Sequence, residues 1–143
     1  MTSQLNVDTI VDKAGSGGSN VKMANTSTYV SDGGNVSQNT VQGLAKVWIN
    51  FNGTGTIAAR DSYNFSSLTD NGTGDYTVGF TNGMSSADYA ALATCGLDSG
   101  GSRAFCSTDT HTTTSVKVLL RQAASNNNID AADVQSGLLG DLA

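Results

Sequence analysis

Proline is absent from all 143 residues of the chain. Without its fixed φ there are no proline-stiffened linkers or turn corners, and Gly, Asn and Asp must carry the turns. Charge is scarce as well, at 13% of residues. The seven cations, Lys13, Lys22, Lys46, Arg60, Arg103, Lys117 and Arg121, are scattered singly. A nucleic-acid binder needs a basic stripe to displace counterions from phosphates. This chain has none, and its net charge is −5 with a pI near 4.4, so no nucleic-acid partner is expected. No apolar run approaches the length of a membrane span, and no membrane insertion is expected. The opening Met1-Thr2-Ser3-Gln4 lacks the basic and apolar regions of a secretory signal, so export by that route is not expected either.

What is abundant is small and polar. Ser, Thr and Asn together supply 47 residues and Gly another 17, against a hydrophobic share of 38%. Ser, Thr and Asn compete with helical hydrogen bonds, and Gly costs backbone entropy, so the composition disfavours helix. It suits strands joined by tight turns around a small core.

The hydrophobic pattern divides the chain in two. Gln4 to Asp12 alternates well enough for one strand, with Leu5, Val7, Ile10 and Val11 as its clustered apolar set. From Gly15 to about Gly43 the sequence is polar and Gly-rich without a clean period, which reads as an extended arm or linker. The compact region starts near residue 45. Ala45, Val47, Ile49 and Phe51 fall on one strand face, with Lys46, Trp48 and Asn50 on the other. Ile57 to Leu68 reads as one or two strands with Tyr63 and Phe65 in register. Asp70-Asn71-Gly72-Thr73-Gly74 forms a hairpin loop before the alternating Tyr76, Val78 and Phe80. Tyr89 to Cys95, Arg103 to Ser107, Thr112 to Arg121 and Val134 to Leu139 complete the strands, a short helix within 123–136 being the weaker alternative for that stretch. Short strands at roughly ten-residue spacing, with no helical crossovers, predict an all-β fold: an antiparallel β-sandwich or barrel over 45–143, preceded by an extended N-terminal strand and arm over 1–44.

The stretch Lys46-Val47-Trp48-Ile49-Asn50-Phe51-Asn52-Gly53-Thr54-Gly55-Thr56 resembles the C-terminal β-domain of tail-fibre-type structural proteins of tailed bacteriophages, particularly phages of marine cyanobacteria and related ocean bacteria. So do Arg60 to Asn64, Thr69 to Val78 and the closing segment 134–140. The opening Gln4 to Ile10, with Lys13-Ala14-Gly15, resembles the start of many such proteins. The resemblance implies a virion protein, commonly homotrimeric, with no catalysis. Because only about 40 residues precede the domain, a short spike or a capsid-surface decoration is expected rather than a full-length fibre. Its expected partners are copies of itself and other virion proteins of capsid or tail. The set Leu5, Val7, Ile10 and Val11 would anchor it, the protein being made in the host cytoplasm and ending on the virion surface. A receptor- or glycan-binding tip that meets a host cell-surface glycan is the alternative.

Reactive constellations are few. His111 is the one histidine, close in sequence to Asp109, but in a chain so rich in Ser and Thr a Ser-His-Asp grouping arises by chance, and an exposed turn or strand histidine is expected. The segment 70–75 lacks the alternating ligands of a calcium loop, and 15–18 lacks the frame of a phosphate loop. No metal or other cofactor is expected. Asn-x-Ser/Thr triplets begin at Asn25, Asn35, Asn52, Asn64 and Asn71, as this composition makes common, and are read as accidental. A two-residue turn at Gly100-Gly101 would set Cys95 opposite Cys106 on neighbouring strands. Such a cross-strand pair is either a disulfide or two reduced, buried thiols, and a reducing cytoplasm favours the thiols. Trp48 either packs against a second sheet or a neighbouring subunit, the commoner fate of a lone Trp, or offers a platform for sugar stacking.

Overall fold

A computed structural model describes residues 27–30, 37–97, 100–101 and 103–143. The expected strand from Gln4 to Asp12, with Leu5, Val7, Ile10 and Val11, lies outside the described residues. The chain divides into two compact units, 1–41 and 42–143, three residues before the boundary that hydrophobic patterning suggests. In the first unit, β1 (Thr28–Val30) pairs antiparallel with β2 (Ser37–Asn39), and Thr40 N–H donates to Ser27 O at 2.9 Å. Within the stretch read as an extended arm or linker, two short strands therefore pair. Their six residues are mostly exposed, and paired backbone rather than apolar burial holds them together.

Among the described residues the second unit holds eight strands: β3 (Ala45–Asn52), β4 (Ala58–Tyr63), β5 (Phe65–Gly72), β6 (Asp75–Phe80), β7 (Ala90–Cys95), β8 (Ala104–Asp109), β9 (Ser115–Gln122) and β10 (Val134–Leu139). All pairings are antiparallel, in two four-stranded sheets ordered β4-β3-β10-β7 and β5-β6-β9-β8. The fold is all-β, a sandwich rather than a barrel, with no helix among the described residues. The stretch 123–136 carries turns and the start of β10 in place of the alternative helix.

Alternation decides which side chains enter the core. Val47, Ile49 and Phe51 from the first sheet meet Tyr76, Val78, Val116, Val118 and Leu120 from the second, all essentially without solvent exposure. Phe51 and Tyr76 pack edge to face with ring centroids 5.2 Å apart. Ala45, expected inward with Val47, is exposed because the β3–β10 register slips at Leu138/Leu139, and a bulge turns the strand start away.

Tyr63 and Phe65 are not neighbours on one strand. Asn64, at φ 56°, breaks the run and sends β4 into one sheet and β5 into the other. Its side chain fills the corner, donating to Lys46 O at 3.1 Å and Asn82 O at 3.0 Å while accepting from Asn82 N–H at 2.8 Å. Asn tolerates the left-handed region better than most residues, and here its amide replaces the ladder bonds lost at the turn.

The expected hairpin between Cys95 and Cys106 is absent. β7 pairs with β10 and β8 with β9, so the two cysteines belong to different sheets. The connection over 96–103 is long enough to carry the chain across the edge of the sandwich, as a two-residue turn is not.

Candidate functional site: the outer face of the first sheet

Registers across the first sheet align four outward positions in one row. Tyr63 of β4 faces Trp48 of β3, Trp48 faces Gly137 of β10, and Gly137 faces Leu92 of β7. Tyr63 is 56% exposed, Trp48 39% and Leu92 57%. Gly137 carries no side chain, and a Cβ there would meet nothing within 4 Å. The row is thus an aromatic pair and a leucine separated by an open floor. With strands ~4.8 Å apart it spans roughly 14 Å.

Two residues along each strand, on the same face, runs a polar row of Asp61, Asn50, Gln135 and Thr94. Thr94 Oγ1 donates to Gln135 Oε1 at 2.6 Å. Arg60, beside the β3–β4 bulge, donates to Asn50 Oδ1 and Asp133 Oδ1, both at 3.1 Å, and to Ala132 O. That salt bridge is about half exposed on both sides, so it orients the Asn50 amide more than it stabilises the fold. On the other flank Lys46 is buried, with Nζ donating to Leu44 O at 2.8 Å. An apolar row beside a row of amide, carboxylate and hydroxyl groups can stack against a flat apolar surface and hydrogen-bond to groups at its border.

For Trp48 the structure removes one of the alternatives. It points away from the second sheet, so packing between the sheets is excluded. Its pairing with Tyr63 was hidden in the sequence because the bulge between Asn50 and Phe51 sets the β3–β4 register. Gly137 and Leu92 join the row only through β10, a long-range placement that no local pattern signals.

The remaining candidates lie elsewhere. His111 is half-buried rather than exposed, its ring stacked on Tyr89 with centroids 4.9 Å apart and planes 5° from parallel. Its Nε2 is 3.4 Å from Thr108 Oγ1, and the Asp109 carboxylate accepts from Thr110 N–H at 2.7 Å. Burial pushes the Tyr89 phenol up, and its O–H donates to Ser115 O at 2.8 Å. A depression of about 170 Å³ is lined by Gln42, Ser85, Ser86, Asp88, Tyr89, Gly140 and Asp141. Gln42 Nε2 donates to Asp141 Oδ2 across it at 3.2 Å. Among the described residues no three His, Cys, Asp or Glu side chains gather as metal ligands, and no helix is long and apolar enough to cross a membrane.

Cys95 and Cys106 are both free, half-buried thiols at one edge of the sandwich, packed against the core. Burial pushes the Cys106 thiol well up, helped by the neighbouring Cys95.

The segments that carry the phage resemblance are structurally central. Trp48 to Gly55 is most of β3 and its following turn, and Asp70 to Val78 is the β5–β6 hairpin. The two meet at Tyr76, whose hydroxyl lies 2.6 Å from both Gly53 O and Asp130 Oδ1. Comparison with protein-family models, curated proteins and solved structures returns no match.

Proposed function

We propose that the chain is a non-enzymatic structural protein of a tailed-phage virion exterior. It is a short homotrimeric fibre or spike, or a capsid decoration, anchored by residues 1–44, with 45–143 facing outward. The resemblance over Lys46–Thr56 and Asp70–Val78 supports the class. The observation that carries the assembly is the exposed row of Tyr63, Trp48 and Leu92 across the first sheet. A second copy of the chain covers this row in the trimer, which adds apolar burial to a small core.

Multi-angle light scattering on the purified protein is expected to give a trimer. Trp48→Asp is expected to give a monomer that keeps its β-type circular dichroism, because the side chain lies outside the core. A monodisperse wild-type monomer in dilute and concentrated samples overturns the assembly.

The polar row of Asp61, Asn50, Gln135 and Thr94 favours a second reading, a glycan-binding tip. A pyranose has an apolar C–H face that stacks on an aromatic ring and hydroxyls that bond to amides. On this reading a glycan array gives binding that Trp48→Ala and Asn50→Ala each abolish, with the oligomeric state unchanged.

A further inference from the structure

The two edges of the sandwich are closed in different ways. At one edge a single residue, Asn64, carries β4 into β5 and is held by three side-chain hydrogen bonds. At the other, the chain passes from β7 to β8 through 96–103. The bonds at its two ends stay within one sheet each: Gly96 N–H donates to Asp133 O at 2.8 Å, beside β10, and Ala123 N–H donates to Arg103 O at 2.9 Å, beside β9. Neither β7 nor β8 contains a fully buried residue, whereas β6 and β9 each contain several. Few buried contacts and edge positions make this a part of the fold that opens readily. The inward side chains at this seam are small, with Ala91, Ala93 and Cys95 on β7 facing Ala104 and Cys106 on β8.

We propose that Cys95 and Cys106 form a modification site, an oxidisable pair that closes into an intrachain disulfide and ties the first sheet to the second at this edge. Two observations place the sulfurs together: both side chains point into the seam between β7 and β8, which lie against each other there, and both pack on the same core. The proposal does not depend on how the outer face of the first sheet is used.

The oxidant is a low-molecular-weight disulfide. Cys95 gives up its proton, and its thiolate attacks one sulfur of the oxidant. The oxidant's S–S bond breaks, a mixed disulfide forms, and one small thiolate leaves. Cys106 then loses its proton and attacks the Cys95 sulfur, expelling the second small thiolate. The two protons released by the protein thiols end on the two small thiols, and the two electrons pass to the oxidant. Cys106 takes the second step because burial keeps it protonated and slow as the initial attacker. The pair therefore stays reduced in a reducing cytoplasm and closes after transfer to an oxidising medium.

The test uses the full chain, purified under reductant and then exposed to oxidised glutathione. The expected product has lost two hydrogens, shows no titratable thiol after denaturation, and yields a Cys95–Cys106 linked peptide. Its thermal midpoint is expected to rise by about 5 °C or more and to fall back on addition of dithiothreitol. Cys95→Ser and Cys106→Ser should show no such rise. Two thiols still titratable after exposure, linkage between chains instead of within one, or a bridge that leaves the midpoint unchanged would each overturn the proposal. All three are read on the wild-type protein, so the result holds whether or not the variants fold.

Discussion

Tyr76 carries its hydroxyl to the far side of the core, where Gly53 O and Asp130 Oδ1 receive it and Gly74 N–H donates to the same carboxylate oxygen at 2.8 Å. Gly53 allows this approach, since a Cβ there would sit 2.8 Å from the phenol oxygen and 2.9 Å from Ala131 O. Tyr76→Phe keeps the ring and removes the hydroxyl, leaving both acceptors short of a donor. The expected loss is about 1–3 kcal/mol by urea denaturation. Burial, then the hydrogen bond and charge of Asp130, raise the Tyr76 phenol far above its ordinary value of 10.0. The folded state therefore holds this proton after the unfolded chain has released it, and the stabilisation is complete below pH 10 and declines above it. The difference between wild type and Tyr76→Phe should accordingly shrink as the pH of the denaturation series passes 10. An unchanged gap would show that the hydroxyl is not the titrating group. The inward place of Tyr76 was legible from its alternation with Val78 and Phe80. Its partner Asp130, 54 residues away, was not, because only the packed sheets bring the two together.

At the scale of elements, Asn64 decides which strand belongs to which sheet. Tyr63 and Phe65 have the same parity on either side of it, so the sequence leaves one strand or two open over 57–68. A single residue at positive φ breaks the strand while preserving the pattern, and periodicity is blind to it. Asn64→Ala forfeits the corner's three side-chain bonds and leaves a β-carbon residue less suited to φ 56°. The expected destabilisation is roughly 2–4 kcal/mol, read from the denaturation midpoint. Asn64→Gly should recover part of the loss, because it relieves the backbone without restoring the bonds. Equal losses in the two variants would show that backbone strain contributes nothing. Cys95 and Cys106 teach the converse lesson. Their spacing suited a tight hairpin, yet β10 and β9 offered each strand a better partner, and local turn chemistry yielded to pairing between distant segments.

For the whole molecule, composition was a sound guide. A chain rich in Ser, Thr, Asn and Gly with clean period-two segments has few compact solutions other than stacked antiparallel sheets. What it left open was the strand order, which depends on pairings between residues 45–52 and 134–139. Among the described residues the buried core runs from Val47 to Leu138. Deleting residues 1–12 should therefore leave circular dichroism unaltered and the thermal midpoint within about 2 °C of wild type. On the proposed anchoring role the same deletion should abolish incorporation into particles. Normal occupancy by the truncated protein would show that those residues are not the anchor.

β10 is the last strand in chain order, yet it occupies the interior of the first sheet, between β3 and β7. During synthesis on the ribosome, β7 emerges with no partner in its own sheet, and β3 has an open side until residues 134–139 arrive. The nascent chain thus displays two bare backbone rows for as long as translation takes to cover the distance from Cys95 to Val134. A strand from a neighbouring nascent chain can occupy the same gap, since β10 of any copy has the register that β3 and β7 accept. Crowded polysomes would favour that exchange, and translation speed across 96–133 sets how long the gap stays open.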